Sequence, residues 1–390
     1  MPGPEQFLGG VTPAQFLRDY WQKEPVLIRQ AIPGFETPLS PDELAGLACE
    51  DGIESRLVLE KDGAHPWQLE HGPFPEERFT HLPATHWTLL VQECNKYVPE
   101  LALLLERFNF IPSWRIDDVM VSYAPVHGSV GPHVDQYDVF LLQAYGRRRW
   151  QISTQPVATD NVLPDTELCI MRDFLPEQEW VLEPGDMLYL PPGIAHYGVA
   201  LDECMTFSIG FRAPSAAEIL TDFTEYVHQG LSETDRYTDP DLRVPVHPGE
   251  ISPTARARVR AMLRDRLADD AYVDDWFGRF ITEPHVGQSV APPEVLLDVD
   301  AFKARLLSEG VLLRSEYCRF AYIAADDGVR LYVDGDDIAL PPQLAYAAPL
   351  LSDRRRYVDT ELAAHLDDAA FLELLTRLYN RGAVHFADED

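Results

Sequence analysis

The stretch from Gly131 to Gln143, Gly-Pro-His-Val-Asp-Gln-Tyr-Asp-Val-Phe-Leu-Leu-Gln, constrains this chain more than any other. A Gly/Pro loop gives way to an apolar, aromatic run of the kind that forms a strand. Side chains two apart on a strand share a face, so His133 and Asp135 are expected side by side, about 7 Å apart at the backbone. A β-structure that presents one imidazole and one carboxylate together has begun a metal site. It needs a third ligand from a neighbouring strand.

The stretch Glu183-Pro-Gly-Asp-Met-Leu-Tyr-Leu-Pro-Pro-Gly-Ile-Ala-His196 supplies one. Two turn signals, Glu-Pro-Gly-Asp and Pro-Pro-Gly, bracket a short apolar strand, and His196 opens the next. Two histidines and one carboxylate with open positions form the facial triad of non-haem Fe(II) oxygenases. His133, Asp135 and His196 are therefore the expected metal ligands and catalytic centre. The chain carries its own control, because His365-Leu366-Asp367 has the same spelling. That pair lies within Glu361 to Tyr379, where Leu362, Leu366, Phe371, Leu374, Leu375 and Leu378 repeat at helical intervals. Residues two apart on a helix face apart, so no metal is expected there.

A second constellation follows in Gly146-Arg-Arg-Arg-Trp-Gln-Ile-Ser153. Period-two alternation puts Arg148, Trp150 and Ile152 on one face and Arg147, Arg149 and Gln151 on the other. The apolar face turns inward, so Arg148 needs an anionic partner inside. That partner is either an internal Asp or Glu, or the carboxylate of a bound acid, which suits the guanidinium fork.

Together these motifs resemble the JmjC (cupin-type) 2-oxoglutarate oxygenases, and among them the bacterial ribosomal oxygenases, which hydroxylate an arginine of large-subunit ribosomal protein sixteen. The match is dense from Asp117 to Phe211. The resemblance implies an α+β chain with a double-stranded β-helix (jelly-roll) core, a helical dimerisation segment and a C-terminal winged-helix domain. It implies Fe(II), 2-oxoglutarate and dioxygen as cofactor and cosubstrates, and an obligate homodimer. Arg148 would clamp the far carboxylate of 2-oxoglutarate, and Ser122, on the strand Val119 to Ala124, is the expected polar residue beside it. Tyr137, Asp118 and Asp138 are the expected contacts for a target arginine. Two alternatives stay open: a JmjC hydroxylase or demethylase acting on another side chain (His or Lys), and a metal-dependent cupin that needs no keto acid.

The rest of the chain fits this layout. Its 390 residues suffice for two or three domains, expected as a catalytic domain over 1–212 (core about 92–212), a helical region over 213–285 and a winged-helix-like domain over 286–390. Thr12-Pro-Ala-Gln15 and Ser40-Pro-Asp-Glu43 are helix starts, and strands are expected near Pro25 to Arg29, Arg56 to Glu60 and Trp67 to Glu70. Ser215 and Ser252-Pro253 start further helices, the second with Arg256, Arg260 and Arg264 at four-residue intervals. A hairpin joins Arg319–Ile323 to Val329–Val333 through Asp326-Asp327-Gly328. No apolar run approaches a membrane span and no signal peptide is evident, so a cytoplasmic address is expected. Five scattered cysteines without metal spacing are expected to be reduced thiols. With 32 basic and 64 acidic residues the net charge is −32, which repels nucleic acid and favours a basic protein client.

Overall fold

The computed structural model describes residues 7–60, 67–164, 166–244, 246–284, 290–325, 328–358 and 362–387. The chain divides into two units, Met1–Ala213 and Pro214–Asp390.

The first unit carries twelve strands among the described residues: β1 (Val26–Ile28), β2 (Ser55–Glu60), β3 (Trp67–His71), β4 (Trp87–Val91), β5 (Ile116–Ala124), β6 (His133–Val134), β7 (Val139–Tyr145), β8 (Arg148–Ser153), β9 (Gln178–Leu182), β10 (Met187–Leu190), β11 (Ala195–Ala200) and β12 (Cys204–Phe211). They form an eight-stranded sheet, β1-β10-β7-β12-β5-β4-β2-β3, and a four-stranded sheet, β6-β11-β8-β9. Every pairing is antiparallel. From β5 to β12 the chain passes back and forth between the two sheets, the jelly-roll arrangement. The N-terminal strands β2, β3 and β4 widen the larger sheet at one edge, and β1 closes the other.

Alternation along each strand decides what lies between the sheets. Val139, Leu141, Leu188 and Leu190 of the larger sheet meet Trp150, Ile152 and Leu182 of the smaller one. The opposite face of the larger sheet, with Val119, Val121, Phe140, Leu142, Phe207 and Ile209, is covered by the N-terminal helices α1 (Pro13–Asp19), α2 (Pro41–Leu47), α3 (Glu76–Thr80) and α4 (Pro99–Leu105). Thr12 and Ser40 cap α1 and α2 in full capping boxes, with Pro13 and Pro41 in the first turn. Phe16 of α1 packs edge-on against Tyr189, 5.0 Å between ring centres, and also meets Phe140. Each such buried ring contributes about 1.5–3 kcal/mol by leaving water, which ties the N-terminal segment to the barrel.

The second unit holds α5 (Ala216–Gln229), α6 (Pro253–Leu267), α7 (Asp270–Thr282), α8 (Val299–Glu309), α9 (Ala347–Ser352) and α10 (Ala369–Asn380). It also has two three-stranded sheets: one made of Arg356–Val358, Val311–Arg314 and Val384–Phe386, the other a meander of Phe320–Ala325, Gly328–Val333 and Asp336–Leu340. The expected hairpin is present with the third strand added, while its turn residues Asp326 and Asp327 lie outside the described residues. The expected boundary near residue 285 is not a boundary between units. Gly278 of α7 lies so close to the Tyr332 ring that a Cβ there would collide with it, and Gly335 N donates to Thr282 Oγ1 at 3.1 Å. The helical region and the C-terminal sheets are thus one packed unit. Among the described residues no helix is long and apolar enough to cross a membrane.

Candidate metal centre

Asp135 does not sit on the strand that the apolar run suggests. Pairing ends after His133 and Val134, and the chain then turns and crosses into the other sheet, where Val139 begins β7. Asp135 stands on this crossing. The Pro-Pro-Gly turn ahead of β11 fixes it there, because Gly193 N donates to the Asp135 carbonyl at 2.8 Å. Gly193 has φ +85°, the left-handed region that glycine enters without strain. The preceding turn is held by Asp186, buried, whose carboxylate accepts from Gln30 N at 2.9 Å and from Arg29 Nη1 at 2.6 Å.

β6 pairs with β11 so that His133 lies directly opposite His196. Cross-strand partners share a face, and the two rings are 4.2 Å apart. His133 Nε2 is 3.9 Å and His196 Nε2 is 3.6 Å from Asp135 Oδ2. Both rings are oriented from behind: His133 Nδ1 is 3.0 Å from the Gly131 carbonyl, and His196 Nδ1 is 3.0 Å from the Ile194 carbonyl. A carbonyl accepts, so each Nδ1 carries the proton and each Nε2 presents a lone pair forward. Burial, with His133 beside it, pushes the His196 imidazole down to about 4. It is therefore neutral near pH 7, the form that binds metal. Among the described residues His133, Asp135 and His196 form the one group of three such ligands able to hold an ion, their donor atoms all within 4.8 Å of one another.

Arg148 behaves as its alternation requires. Arg148, Trp150 and Ile152 are buried, while Arg149 and Gln151 are half-exposed. Arg148 Nη1 donates to Ser122 Oγ at 3.4 Å, its guanidinium lies 5.5 Å from the Trp150 ring centre, and its Nε has no partner. Among the described residues no carboxylate pairs with it, which removes the internal salt bridge as an explanation. A buried cation without an anion is costly, so the site is built to take an acid. On β11, Ala200 pairs with Arg148 and His196 with Ile152. Arg148 and the histidines thus share one face, about 13 Å apart along the strand.

The larger sheet meets this face with the expected Ser122 and with two further polar residues that the sequence did not reveal. Ser122, Thr206 and Gln143 lie side by side on β5, β12 and β7, and Thr206 Oγ1 donates to Gln143 Oε1 at 3.2 Å. The row joins three distant strands, and no local signal in the chain announces their register.

The three expected substrate contacts part company. Tyr137 is 42% exposed as a residue, while burial of its phenol and the neighbouring Asp135 and Asp118 push its titration upward. Asp118 holds Glu93 N at 2.9 Å and lies within electrostatic reach of the same phenol. Asp138 is not at the site at all. It is fully buried, with Oδ1 taken by Tyr189 Oη at 2.6 Å and Oδ2 by Gln22 Nε2 at 2.9 Å and Arg115 Nη2 at 3.4 Å. Asp138 ties the Gln22 turn that follows α1, and Arg115 ahead of β5, to Tyr189 of β10.

Fold and donor set define a JmjC-type cupin. A JmjC domain model matches residues 103–219, a ROXA-like winged-helix model residues 265–385, and an AraC-like ligand binding domain model residues 174–277. The chain is 38% identical over 367 residues to the ribosomal protein uL16 3-hydroxylase of Escherichia coli, covering 94% of this chain and 95% of that protein. Its fold is similar to the X-ray structure of E. coli YcfD, with a TM-score of 0.87, 36% identity and coverage of 96% and 98%. It is also similar to YcfD, a ribosomal oxygenase, in complex with cobalt and 2-oxoglutarate, at TM-score 0.84, 36% identity and coverage of 97% and 98%. This chain belongs to the JmjC-domain ribosomal oxygenase family.

Proposed function

We propose that this protein is an Fe(II)- and 2-oxoglutarate-dependent hydroxylase of an arginine side chain in ribosomal protein uL16, the large-subunit protein sixteen. The observation that carries the reading is the shared inner face: three convergent metal donors at one end and an acid-seeking Arg148 at the other. The donor set fits iron, since two imidazoles and one carboxylate leave coordination positions for a chelating keto acid and dioxygen. When bound, these groups supply the oxidising chemistry, with succinate and carbon dioxide leaving as coproducts.

The chain's own part is positioning. His133 and His196 hold the metal through Nε2 because Gly131 and Ile194 fix the opposite ring edges. Arg148 and Ser122 orient the far carboxylate, and the apolar wall of Trp150 and Ile152 excludes water. Tyr137 and Asp118, within electrostatic reach of each other, are the contacts we propose for the client, a phenol and a carboxylate that orient a target guanidinium. The −32 charge supports a basic protein client and argues against nucleic-acid binding by the second unit. Exposed Leu220 on α5 and Val259, Met262, Leu263 and Leu267 on α6 support a homodimer formed through these helices. A cytoplasmic address, where a ribosomal protein client is met, is part of this proposal.

The test is mass spectrometry of uL16, or of its arginine-bearing peptide, after anaerobic loading with Fe(II) and 2-oxoglutarate and then exposure to air. A gain of about 16 Da on one arginine, matched by succinate, is expected. Succinate without peptide modification would discard the client and keep the oxygenase. Neither product, with iron demonstrably bound, would overturn the enzyme class. Sedimentation at micromolar concentration tests the dimer, and a monomer would remove it.

A further inference from the structure

The sheet that carries Ser122 continues outward past the site. Ser122 on β5 lies opposite Leu90 on β4, Leu90 opposite Arg56 on β2, and Arg56 opposite His71 on β3. Directly opposed residues point to one face, so Arg56 and His71 stand on the same inner face as Ser122. His71 Nε2 reaches Glu167 Oε2 at 3.5 Å. Glu167 belongs to the long segment between β8 and β9, which also binds the metal loop: Met171 N donates to the Pro132 carbonyl at 2.7 Å. The edge strand and this segment therefore meet at the far side of Arg56, while Tyr137 lies within its electrostatic reach on the near side.

Arg56 is half-buried, and its Nε is buried with no hydrogen-bond partner. Among the described residues it makes no ion pair, although Asp117, Asp118 and Asp135 all act on the same Tyr137 phenol. An arginine near these aspartates that makes no ion pair of its own among the described residues is available to an oxygen that arrives with the ligand. A basic client delivers its guanidinium to the carboxylates. What it can offer Arg56 without charge repulsion is a main-chain carbonyl, and a guanidinium donates to a carbonyl well.

We propose that Arg56 is a specificity-determining residue that donates to a main-chain carbonyl of the client peptide beside the target arginine. It fixes which residue of the client enters the metal centre. This rests on the peptide-hydroxylase reading above. Because Arg56 lies two strands away from Ser122 in the larger sheet, while Arg148 is on β8 of the other sheet, its work is separable from that of 2-oxoglutarate.

Steady-state kinetics of Arg56→Ala, Arg56→Gln and Arg56→Lys with the arginine-bearing uL16 peptide test it. For Arg56→Ala the peptide KM should rise roughly ten- to hundredfold, the value of a hydrogen bond from a charged donor, while kcat and the KM for 2-oxoglutarate hold. Arg56→Lys, which keeps a charged donor, should recover part of the peptide KM, and Arg56→Gln should recover less. An unchanged peptide KM would overturn the proposal. So would a parallel rise in the KM for 2-oxoglutarate, which would place Arg56 in the cosubstrate pocket. If the parent enzyme neither forms succinate nor modifies the peptide, the hydroxylase reading itself fails, and that outcome is distinct from either result for Arg56.

Discussion

His133-Val134-Asp135 and His365-Leu366-Asp367 are spelled almost alike, and the molecule treats them as opposites. At the first, a two-residue strand ends, the chain crosses between sheets, and a paired strand brings His196 directly opposite His133. Backbone carbonyls turn both Nε2 atoms toward Asp135. At the second, a single 3-10 turn over Ala363–His365 lays the His365 ring against Tyr346, 4.1 Å between centres. Asp367 faces solvent and reaches Lys303 Nζ at 3.4 Å. A ligand pair is thus made by what orients it from behind and what stands across from it, and the spacing alone does neither.

The largest effect that distinguishes the two belongs to the first pair. Asp135→Ala or His133→Ala should reduce succinate formation by more than the ~10–100-fold expected for losing an outer partner of a metal ligand. Iron content by elemental analysis should fall in parallel, with circular dichroism unchanged. Turnover at the parent rate would remove the triad.

Next comes the acid clamp on the same face. Arg148→Ala removes a buried charged contact worth about 2–5 kcal/mol, so the 2-oxoglutarate requirement should rise steeply. Arg149→Ala, one residue on and facing outward, should change it little. Equal effects would show that the alternation assigns the wrong arginine. Ser122→Ala should be milder, about 0.5–1.5 kcal/mol in 2-oxoglutarate affinity for one hydrogen bond. Calorimetric titration of the metal-loaded, oxygen-free protein would measure both. An effect of Ser122→Ala as large as that of Arg148→Ala would make the serine a principal anchor.

The same contrast shows which parts of the molecule were legible in the sequence. Alternation in Arg148-Arg-Trp-Gln-Ile placed one arginine inside and one outside because that pattern depends only on adjacent residues. The capping boxes at Thr12, Ser40 and Ser215 were legible for the same reason. Long-range pairing was not. The run from His133 to Gln143 reads as one strand, yet β6 and β7 lie in different sheets because their partners, β11 on one side and β10 and β12 on the other, are fixed by distant residues. Asp138 was among the expected contacts for a target arginine. The crossing turns it inward against Tyr189, Gln22 and Arg115. Thr206 and Gln143, which line up beside the expected Ser122, escaped for the same cause, since strand register is set by the whole barrel.

The smallest effects belong to the second pair, where the helical reading was half right. The expected continuous helix is broken, because Asp368 leaves the 3-10 turn and caps a new helix, α10, by accepting from Ala370 N at 3.0 Å. The break gives His365 a packing role through Tyr346 and Phe371. His365→Ala should therefore cost on the order of 1 kcal/mol of stability, the scale of an aromatic contact, and leave iron content and peptide hydroxylation at parent levels. Asp367→Ala loses an ion pair held in open solvent and should give no measurable shift in Tm. Thermal melts and iron analysis on the same samples separate the two roles. Loss of iron from either variant would mean that spelling outranks context after all, and the contrast between the two pairs would fall.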